Sequence, residues 1–325
     1  MALDVKVKIE VSKPFGSLGT WFPLLYVIDS SADADKYEEF ANLGEVVAAP
    51  YANTTDVYKA ANIIFSQKNA PSKIAVLTQK AFTEANFAKY LTKGWRQMLL
   101  VRSQTNASAI ATYIGTTDRM LFLSVTTKPT SNTYSTNDRV FVVYHTDALA
   151  AAAVVGATAG LAAGSFTYKN IKINGITPLE ISDTDLTTLH TNGAITIVEK
   201  AGDIVTSEGK VGSGEYADII DSKDFIVQNI TYNVQKAFNM NNKIAYTNAG
   251  IAILEAATLD AIVKGYNNGM IADDDNGKPL YSVNFLMRSQ TSESDRAARK
   301  YPYGAFSFTL AGAIHEAEIT GEITI

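Results

Sequence analysis

The feature that most constrains the fold of this chain is a matched alternation of apolar and polar residues at its two ends. Near the start, apolar residues alternate with charged ones, as Leu3, Val5, Val7, Ile9 and Val11 against Asp4, Lys6, Lys8 and Glu10. The end repeats the pattern, as Ala317, Ile319, Gly321, Ile323 and Ile325 against Glu316, Glu318, Thr320, Glu322 and Thr324. A period of two residues predicts a half-buried β-strand at each end.

The polar faces of these two predicted strands carry opposite charges. Lys6 and Lys8 lie on one, and Glu316, Glu318 and Glu322 lie on the other, so the strands suit cross-strand pairing. They can pair within one chain, or each can add to a sheet of another copy. The second arrangement would make every chain a link in a polymer.

The composition indicates an ordered protein with room for two domains. The chain has 325 residues, 46% hydrophobic and 19% charged, with a formal net charge of -5. This charge favours neither nucleic acid nor an anionic membrane as a partner of the whole molecule. The absence of cysteine excludes disulfides and thiolate chemistry. The Met-Ala-Leu-Asp start lacks the layout of a secretory signal, so we expect assembly in the cytoplasm of the host.

One alanine-rich stretch, residues 148–163, raises the question of a membrane segment. It is too short to cross a bilayer comfortably. Gly156, Gly160 and Gly164 are spaced for close backbone approach. We therefore predict a core helix packed on a sheet and no membrane insertion.

The first half of the chain predicts an α/β domain with a mostly parallel sheet. Short apolar runs alternate with helical patterns, and we assign as strands 22–28, 45–48, 74–77, 98–102, 120–125 and 140–144. The helical segment 56–67 has Asn53 as its predicted N-cap. The polar stretch 126–138 is predicted to be a surface loop.

After Gly164 the pattern becomes that of an α+β domain. We predict strands over 165–175 and 194–206, helices over 222–238 and 248–265, a hairpin turn near 273–278, and strands over 281–288 and 305–325. The domain boundaries we expect are 1–14 for an N-terminal strand arm, 15–165 for the α/β domain, 166–312 for the α+β domain and 313–325 for a C-terminal strand arm.

The sequence contains no complete catalytic or metal-binding motif. His145, His190 and His315 are scattered and fit no paired motif. The acidic run at 273–275 begins like a calcium loop but lacks the required Gly and Glu, so a polar turn is favoured. We predict that the chain is not an enzyme and that it has no cofactor and no metal site.

A basic run near the C-terminus has two interpretations. Arg296, Arg299 and Lys300 are three or four residues apart, and on a helix they would share one face. That face is either simply solvated or an electrostatic contact with an acidic partner.

Several segments in order along the chain resemble contractile-tail sheath proteins of bacteriophages. They are the alanine-rich stretch leading to Gly164-Ser-Phe-Thr-Tyr-Lys and Gly175-Ile-Thr-Pro, then Gly214-Glu-Tyr-Ala-Asp-Ile-Ile-Asp-Ser-Lys-Asp-Phe-Ile, Lys243-Ile-Ala-Tyr-Thr-Asn-Ala-Gly-Ile, Asp295-Arg-Ala-Ala-Arg-Lys-Tyr-Pro and Leu310-Ala-Gly-Ala-Ile-His. The match is strongest from about Ala148 onward. The chain departs by having Phe225 where many sheath proteins have tryptophan, and it is short for the family.

The resemblance implies a structural subunit of a virion tail sheath. Such subunits polymerise as stacked hexameric rings around a tail tube and contract to drive the tube through the host envelope. The implied partners are further copies of the chain, the tail tube protein, and baseplate and tail terminator proteins, with no nucleic acid. Terminal arms of neighbouring subunits would join by strand addition, and the basic residues Arg296, Arg299 and Lys300 would contact the tube.

We expect the arm strands to be formed by Leu3, Val5, Lys6, Val7, Lys8, Ile9, Val11, Glu316, Glu318, Ile319, Glu322, Ile323 and Ile325. The expected hinges beside them are Pro14, Gly16, Gly19 and Gly312. Alternatives remain open: a sheath of a phage-tail-like bacteriocin or a type VI secretion device, another self-assembling structural protein, or a ligand-binding α/β protein.

Overall fold

The computed structural model describes residues 21–101, 106–318 and 320. The predicted N-terminal strand and the hinges Pro14, Gly16 and Gly19 lie outside the described residues. So do four of the predicted C-terminal arm residues: Ile319, Glu322, Ile323 and Ile325.

The first part of the structure is a seven-stranded sheet with helices on both faces. Its strands are β1 (Phe22–Ile28), β2 (Lys36–Phe40), β3 (Ile74–Gln79), β4 (Trp95–Leu100), β5 (Met120–Val125), β6 (Val140–Tyr144) and β7 (Ala194–Ile195). The helices are α1 (Leu43–Ala48), α2 (Asp56–Phe65), α3 (Glu84–Ala88), α4 (Ala107–Ile114), α5 (Ala150–Thr158) and α6 (Asp183–Thr191). The strand order is β2-β3-β1-β4-β5-β6-β7, and every pairing is parallel except β2 with β3. The predicted mostly parallel α/β fold is confirmed.

Both faces of this sheet are buried, which is why its strands are continuous apolar runs. Leu25 and Val27 of β1 belong to a core that includes α2 and α5. Leu24 and Tyr26 face the opposite way, into a core with residues of α3, α4 and α6.

Helix α5 is the predicted core helix, because every residue from Ala150 to Thr158 is buried. Gly156 lets it pack closely on α2, since a Cβ atom there would lie 2.6 Å from the Cα and carbonyl oxygen of Ile64. None of the helices in the described part of the chain combines the length and apolar character needed to cross a bilayer.

Two local predictions in this half are wrong. Residues 45–48, predicted as a strand, lie in α1, whose N-cap Asn42 accepts a hydrogen bond from the Glu45 amide. The strand is instead β2, which sequence reasoning missed because an edge strand tolerates charges on its exposed face. The N-cap of α2 is Thr55, which accepts from the Tyr58 amide, and not Asn53.

The segment after α5 is less regular than predicted. Residues 165–175 form no strand, because Asn170 has a left-handed backbone (φ 60°) that interrupts the extended run. They still bond along β9, as in the bond from the Ile173 amide to the Ile204 carbonyl. The predicted strand 194–206 is divided into β7 and a hairpin of β8 (Ile197–Lys200) and β9 (Asp203–Thr206).

The last part has the predicted α+β character. Its elements are α7 (Ala217–Met240), α8 (Asn248–Asn267), β10 (Tyr281–Phe285), α9 (Glu293–Ala297) and β11 (Gly304–Phe308). The acidic stretch at 273–279 is a turn in which Asp274 accepts from the amides of Asn276 and Lys278. In the single chain, the described residues 311–318 form no strand, and their pairing with a strand of another copy stays a prediction.

Candidate assembly surface

A cluster of buried charges joins α7 to the amino ends of the central strands. Arg96 of β4 forms ion pairs with Asp221 and Asp224 of α7, at 2.7 Å for the Asp224 Oδ2 atom. Arg139, which directly precedes β6, also pairs with Asp224. The Tyr168 hydroxyl donates to the Asp221 Oδ2 atom at 2.7 Å. These side chains are almost wholly buried.

The arrangement of this cluster suits a structural clamp. Burial alone would lower the pKa of Arg96, but Asp224 and Asp221 outweigh it and hold that pKa above its usual value. Burial raises the pKa of the Tyr168 hydroxyl, and Asp221 adds to that rise. The adjoining cavity, lined by Arg96, Tyr168 and Asp221, has a volume of about 10 Å³, room for roughly one water molecule.

Each of the three histidines has a different hydrogen-bond partner. His145 bonds to the Thr177 carbonyl, His190 to the Ser207 hydroxyl and His315 to the Thr167 hydroxyl. Within residues 21–101 and 106–318, no three side chains of His, Asp or Glu are grouped as a metal ion would need.

The hairpin of β10 and β11 is a two-stranded sheet that packs one face on α8. Tyr281, Val283 and Phe285 alternate with exposed residues, and they join Phe306 and Phe308 of β11 against the apolar core of α7 and α8. The opposite face carries Ser282 and Ser307, whose hydroxyls are 2.9 Å apart. An open groove of about 370 Å³ beside the hairpin is lined by residues including Asp274, Tyr281 and Ser307.

Hydrogen bonds at both ends of the hairpin fix which backbone groups face outward. The Thr309 amide donates to the Leu280 carbonyl, and the Leu286 amide donates to the Tyr303 carbonyl. Antiparallel pairs alternate between bonded and non-bonded, so the residues that direct amide and carbonyl groups away from the hairpin are Tyr281, Val283, Phe285, Gly304, Phe306 and Phe308. Among the described residues, no other strand pairs with either edge.

The large sheet and the hairpin of β10 and β11 differ in how their edges are protected. At one edge of the large sheet, β2 carries Lys36, Glu38 and Glu39, and at the other edge β7 is two residues long. Short and charged edge strands resist pairing with another chain. The hairpin strands, Tyr-Ser-Val-Asn-Phe and Gly-Ala-Phe-Ser-Phe, contain no charge and no proline. The hairpin therefore offers the edges best suited to an added strand.

Beyond β11 the chain continues as an exposed segment, residues 311–318. Ile314 is 89% exposed, and Glu316 and Glu318 of the predicted arm are also exposed. At the predicted hinge Gly312, an added Cβ atom would meet nothing within 4 Å.

The basic residues do not share a helix face. Helix α9 ends at Ala297, and Arg299 follows with a left-handed backbone (φ 57°). Arg296 turns back to bond the carbonyls of Arg288 and Thr291. Arg299 and Lys300 are exposed in the loop that leads to β11, so they remain a surface positive patch.

Sequence reasoning missed the buried clamp. Its arginines are spread over more than forty residues, and its aspartates lie in a helix that shows ordinary amphipathic patterning. A signal was present, because Arg96, Arg119 and Arg139 each stand at or just before the start of a buried apolar strand.

Comparison with known proteins places this fold. Residues 217–323 match the family model described as the C-terminal domain of the E217 tail sheath gp31-like proteins. Comparison with curated protein sequences gives no match.

Among solved structures, a chain of the contracted helical sheath of the anti-feeding prophage is similar with a TM-score of 0.72 at 12% identity, covering 99% of this chain and 98% of that one. The contracted sheath complex of the PVC extracellular contractile injection system gives 0.70 at 9% identity, covering 99% and 98%. The sheath tail protein Lin1278 from Listeria innocua gives 0.58 at 8% identity, covering 85% and 90%.

The fold is therefore that of contractile sheath proteins, over nearly the whole length of the chain. The predicted resemblance to contractile tail sheath proteins is confirmed for the fold, and residues 217–323 match the C-terminal domain model of the E217 tail sheath gp31-like proteins.

Proposed function

We propose that this chain is the structural subunit of a contractile sheath. The observation that carries the proposal is the sheath fold combined with the hairpin of β10 and β11, whose uncharged edges pair with no other strand among residues 21–101 and 106–318. Extended strands from neighbouring copies complete those edges. The donors are the terminal arms, with Leu3–Val11 at one end and Glu316–Ile325 at the other.

In this proposal the subunits stack as hexameric rings in a helix around a tail tube, and they contact a baseplate and a terminator at the two ends. Backbone bonds of the added strands persist while the bodies between them rotate. Pro14, Gly16, Gly19 and Gly312 act as joints beside the arms. The free energy of contraction comes from closer packing of the bodies in the contracted lattice, without nucleotide hydrolysis.

The buried clamp supports such a movement because it ties α7 to the starts of two strands of the large sheet, β4 and β6. Arg96 and Arg139 connect both parts of the molecule through Asp221 and Asp224. The described part of the chain then turns as one body.

The particle to which the sheath belongs has two candidates. A phage tail is favoured by the E217 tail sheath match. A phage-tail-like injection device or bacteriocin is favoured by the similarity to the anti-feeding prophage and PVC sheaths. Purified particles with a DNA-filled head would establish the first, and headless particles the second.

Negative-stain microscopy of the purified chain tests the proposal most directly. We expect stacked rings or hollow tubes. Deletion of residues 1–12 or of residues 316–325 should leave folded monomers that no longer polymerise. Unchanged polymerisation of both truncations would contradict strand exchange through the arms.

Contraction itself is testable on extended particles. Mild denaturant or acid should shorten them in the absence of nucleotide, because the extended lattice is metastable. A strict requirement for a nucleotide would contradict the proposed energy source.

A further inference from the structure

The exposed C-terminal segment is held to the rest of the chain at one side chain. The side chain of His315 is 10% exposed, whereas Ile314 before it is 89% exposed and the Glu316 side chain after it is 91% exposed. A single side chain that is nearly buried, within an otherwise exposed segment, is the pattern of an anchor.

The pocket that receives His315 is formed by three separate segments. The Nε2 atom of His315 is 2.9 Å from the hydroxyl oxygen of Thr167, which lies between α5 and α6 in the chain. Its ring meets the ring of Tyr216 edge to face, with 4.8 Å between centroids. The Lys210 ammonium lies over the same Tyr216 ring at 4.8 Å. We call the pocket formed by Thr167, Lys169, Glu208, Lys210 and Tyr216 the His315 seat.

Charges at the seat extend the contact to the next residue of the segment. The Nδ1 atom of His315 is 3.8 Å from the Glu208 carboxylate. Lys169 lies between two carboxylates, 3.5 Å from Glu208 and 3.7 Å from Glu316. The first glutamate of the predicted arm is thus drawn toward the body by a lysine that is itself nearly buried.

The path from the hairpin to the seat is short. The Ala311 amide donates to the Met270 carbonyl at 2.9 Å, so the segment is fixed up to residue 311. Residues 312–314 then connect that bond to His315. So short a connection gives the chain's own histidine a high effective concentration at the seat and keeps it from reaching the seat of a neighbour.

We propose that the His315 seat is a binding site for the chain's own C-terminal segment, occupied in the free subunit and kept occupied in the polymer. The second half of this proposal rests on the proposed function. Its consequence is that the arm begins at Glu316. The ten residues 316–325 then span about 33 Å when extended, whereas the fourteen residues 312–325 would span about 46 Å. The seat thereby sets how far the arm can reach.

Occupancy of the seat in the free subunit can be tested by digestion with a glutamate-specific protease, which cuts at Glu316 and Glu318. His315→Ala should raise the cleavage rate there roughly fivefold or more, because cleavage follows the released fraction. Thr167→Val should raise it in the same direction. The matched control Ile314→Ala, which alters an exposed neighbour, should leave the rate unchanged. Equal rates for wild type and His315→Ala would overturn the seat.

Cross-linking tests the second half, and the lack of native cysteine makes it specific. In a Lys169→Cys/Glu316→Cys variant, which keeps His315, Thr167 and Tyr216, a short bis-maleimide should join the two positions within one chain. The cross-linked subunit should still polymerise as the unlinked variant does. Loss of polymerisation, or covalent dimers when the linker is added to polymer, would overturn retention in cis.

The two proposals fail in different ways. If the wild-type chain forms no polymer, the proposed sheath function is contradicted. The protease comparison on the free subunit then still decides whether the His315 seat holds the C-terminal segment. If polymer forms but wild type and His315→Ala are cleaved at equal rates, the proposal of the His315 seat is contradicted and the proposed sheath function is not.

Discussion

Individual charged residues in this chain act through their burial more than through their number. Asp224 lies 3% exposed between two guanidinium groups, those of Arg96 and Arg139. Removing one partner of a buried ion pair leaves an uncompensated charge in a medium of low dielectric constant.

We therefore expect Asp224→Asn to lower the free energy of unfolding by about 3–5 kcal/mol, since two arginines lose their shared carboxylate. Urea denaturation measures the change. The matched control is Asp203→Asn, which removes an exposed partner of Lys172 and should cost less than about 1 kcal/mol. Equal costs for both variants would contradict the clamp.

Glu208 provides a prediction for pH. Burial alone would raise its pKa, but the Gly209 amide and the charges of Lys169, His190 and Lys210 outweigh it, so the pKa is held below the ordinary value of 4.5. An acid with a lowered folded pKa stabilises the fold above its unfolded pKa, and loses that contribution as the pH falls through the folded value.

The difference in unfolding free energy between wild type and Glu208→Gln should thus be full above about pH 4.5 and shrink below it. Chemical denaturation at pH 6, 4.5 and 3.5 measures it. A difference that grows as the pH falls would have the wrong sign for this account.

At the scale of individual residues, the sequence predicted few of the side-chain contacts. Alternation revealed the exposed glutamates of the arm, but nothing in one sequence pairs Arg96 with Asp221 or His315 with Thr167. Such contacts join positions more than a hundred residues apart, and they follow from the tertiary fold alone.

Among the described elements, the hairpin of β10 and β11 has long uncharged edges, and we propose that a partner strand adds to them. Val283 and Phe306 direct their amide groups outward, whereas Asn284 bonds within the hairpin. Proline has no amide hydrogen, so placed at an outward position it blocks an added strand while sparing the internal ladder.

We expect Val283→Pro, Phe306→Pro or both together to abolish polymerisation, scored by sedimentation, while the hairpin stays folded. Ser282→Ala, which alters only the exposed face, should assemble normally. Normal polymerisation of the double proline variant would show that the hairpin does not accept the arms.

Elements were predicted well where burial imposed a pattern. The long helices α7 and α8 and most strands of the parallel sheet follow directly from apolar spacing. Prediction failed at β2, whose charges fit an edge strand, and at residues 165–175, where Asn170 turns the chain by a backbone conformation that periodicity does not record.

For the whole molecule, the exposed positive patch at Arg299 and Lys300 is a proposed contact with the tube. Lys300 is held through its backbone, as its carbonyl accepts from the Tyr246 hydroxyl at 3.1 Å. Its side-chain charge is therefore available to a partner.

Reversing both charges, Arg299→Glu with Lys300→Glu, should leave thermal stability unchanged but weaken assembly on purified tubes, the more so at low salt. Co-sedimentation with tubes measures the effect. Lys68→Glu, an exposed charge near α2, is the matched control. Equal loss in both variants would indicate a general charge effect and contradict a specific contact.

The overall architecture was largely foreseeable, since the α/β and α+β halves and the core helix α5 follow from the sequence. The expected domain boundary at 165 remains a prediction, and the sheet takes its last strand, β7, from beyond it. The two predicted arms with complementary charges lie mostly outside the described residues.

The uncharged edges of the β10–β11 hairpin favour aggregation in the cell that makes the protein. If the chain is a sheath subunit, as we propose, a free copy with these edges unpaired would bind extended polypeptides in a crowded solution, including the hairpin of a second copy. Overproduction alone should then yield amorphous deposits alongside ordered tubes. A synthetic peptide with the sequence of residues 1–12, added during purification, should keep the subunits dispersed.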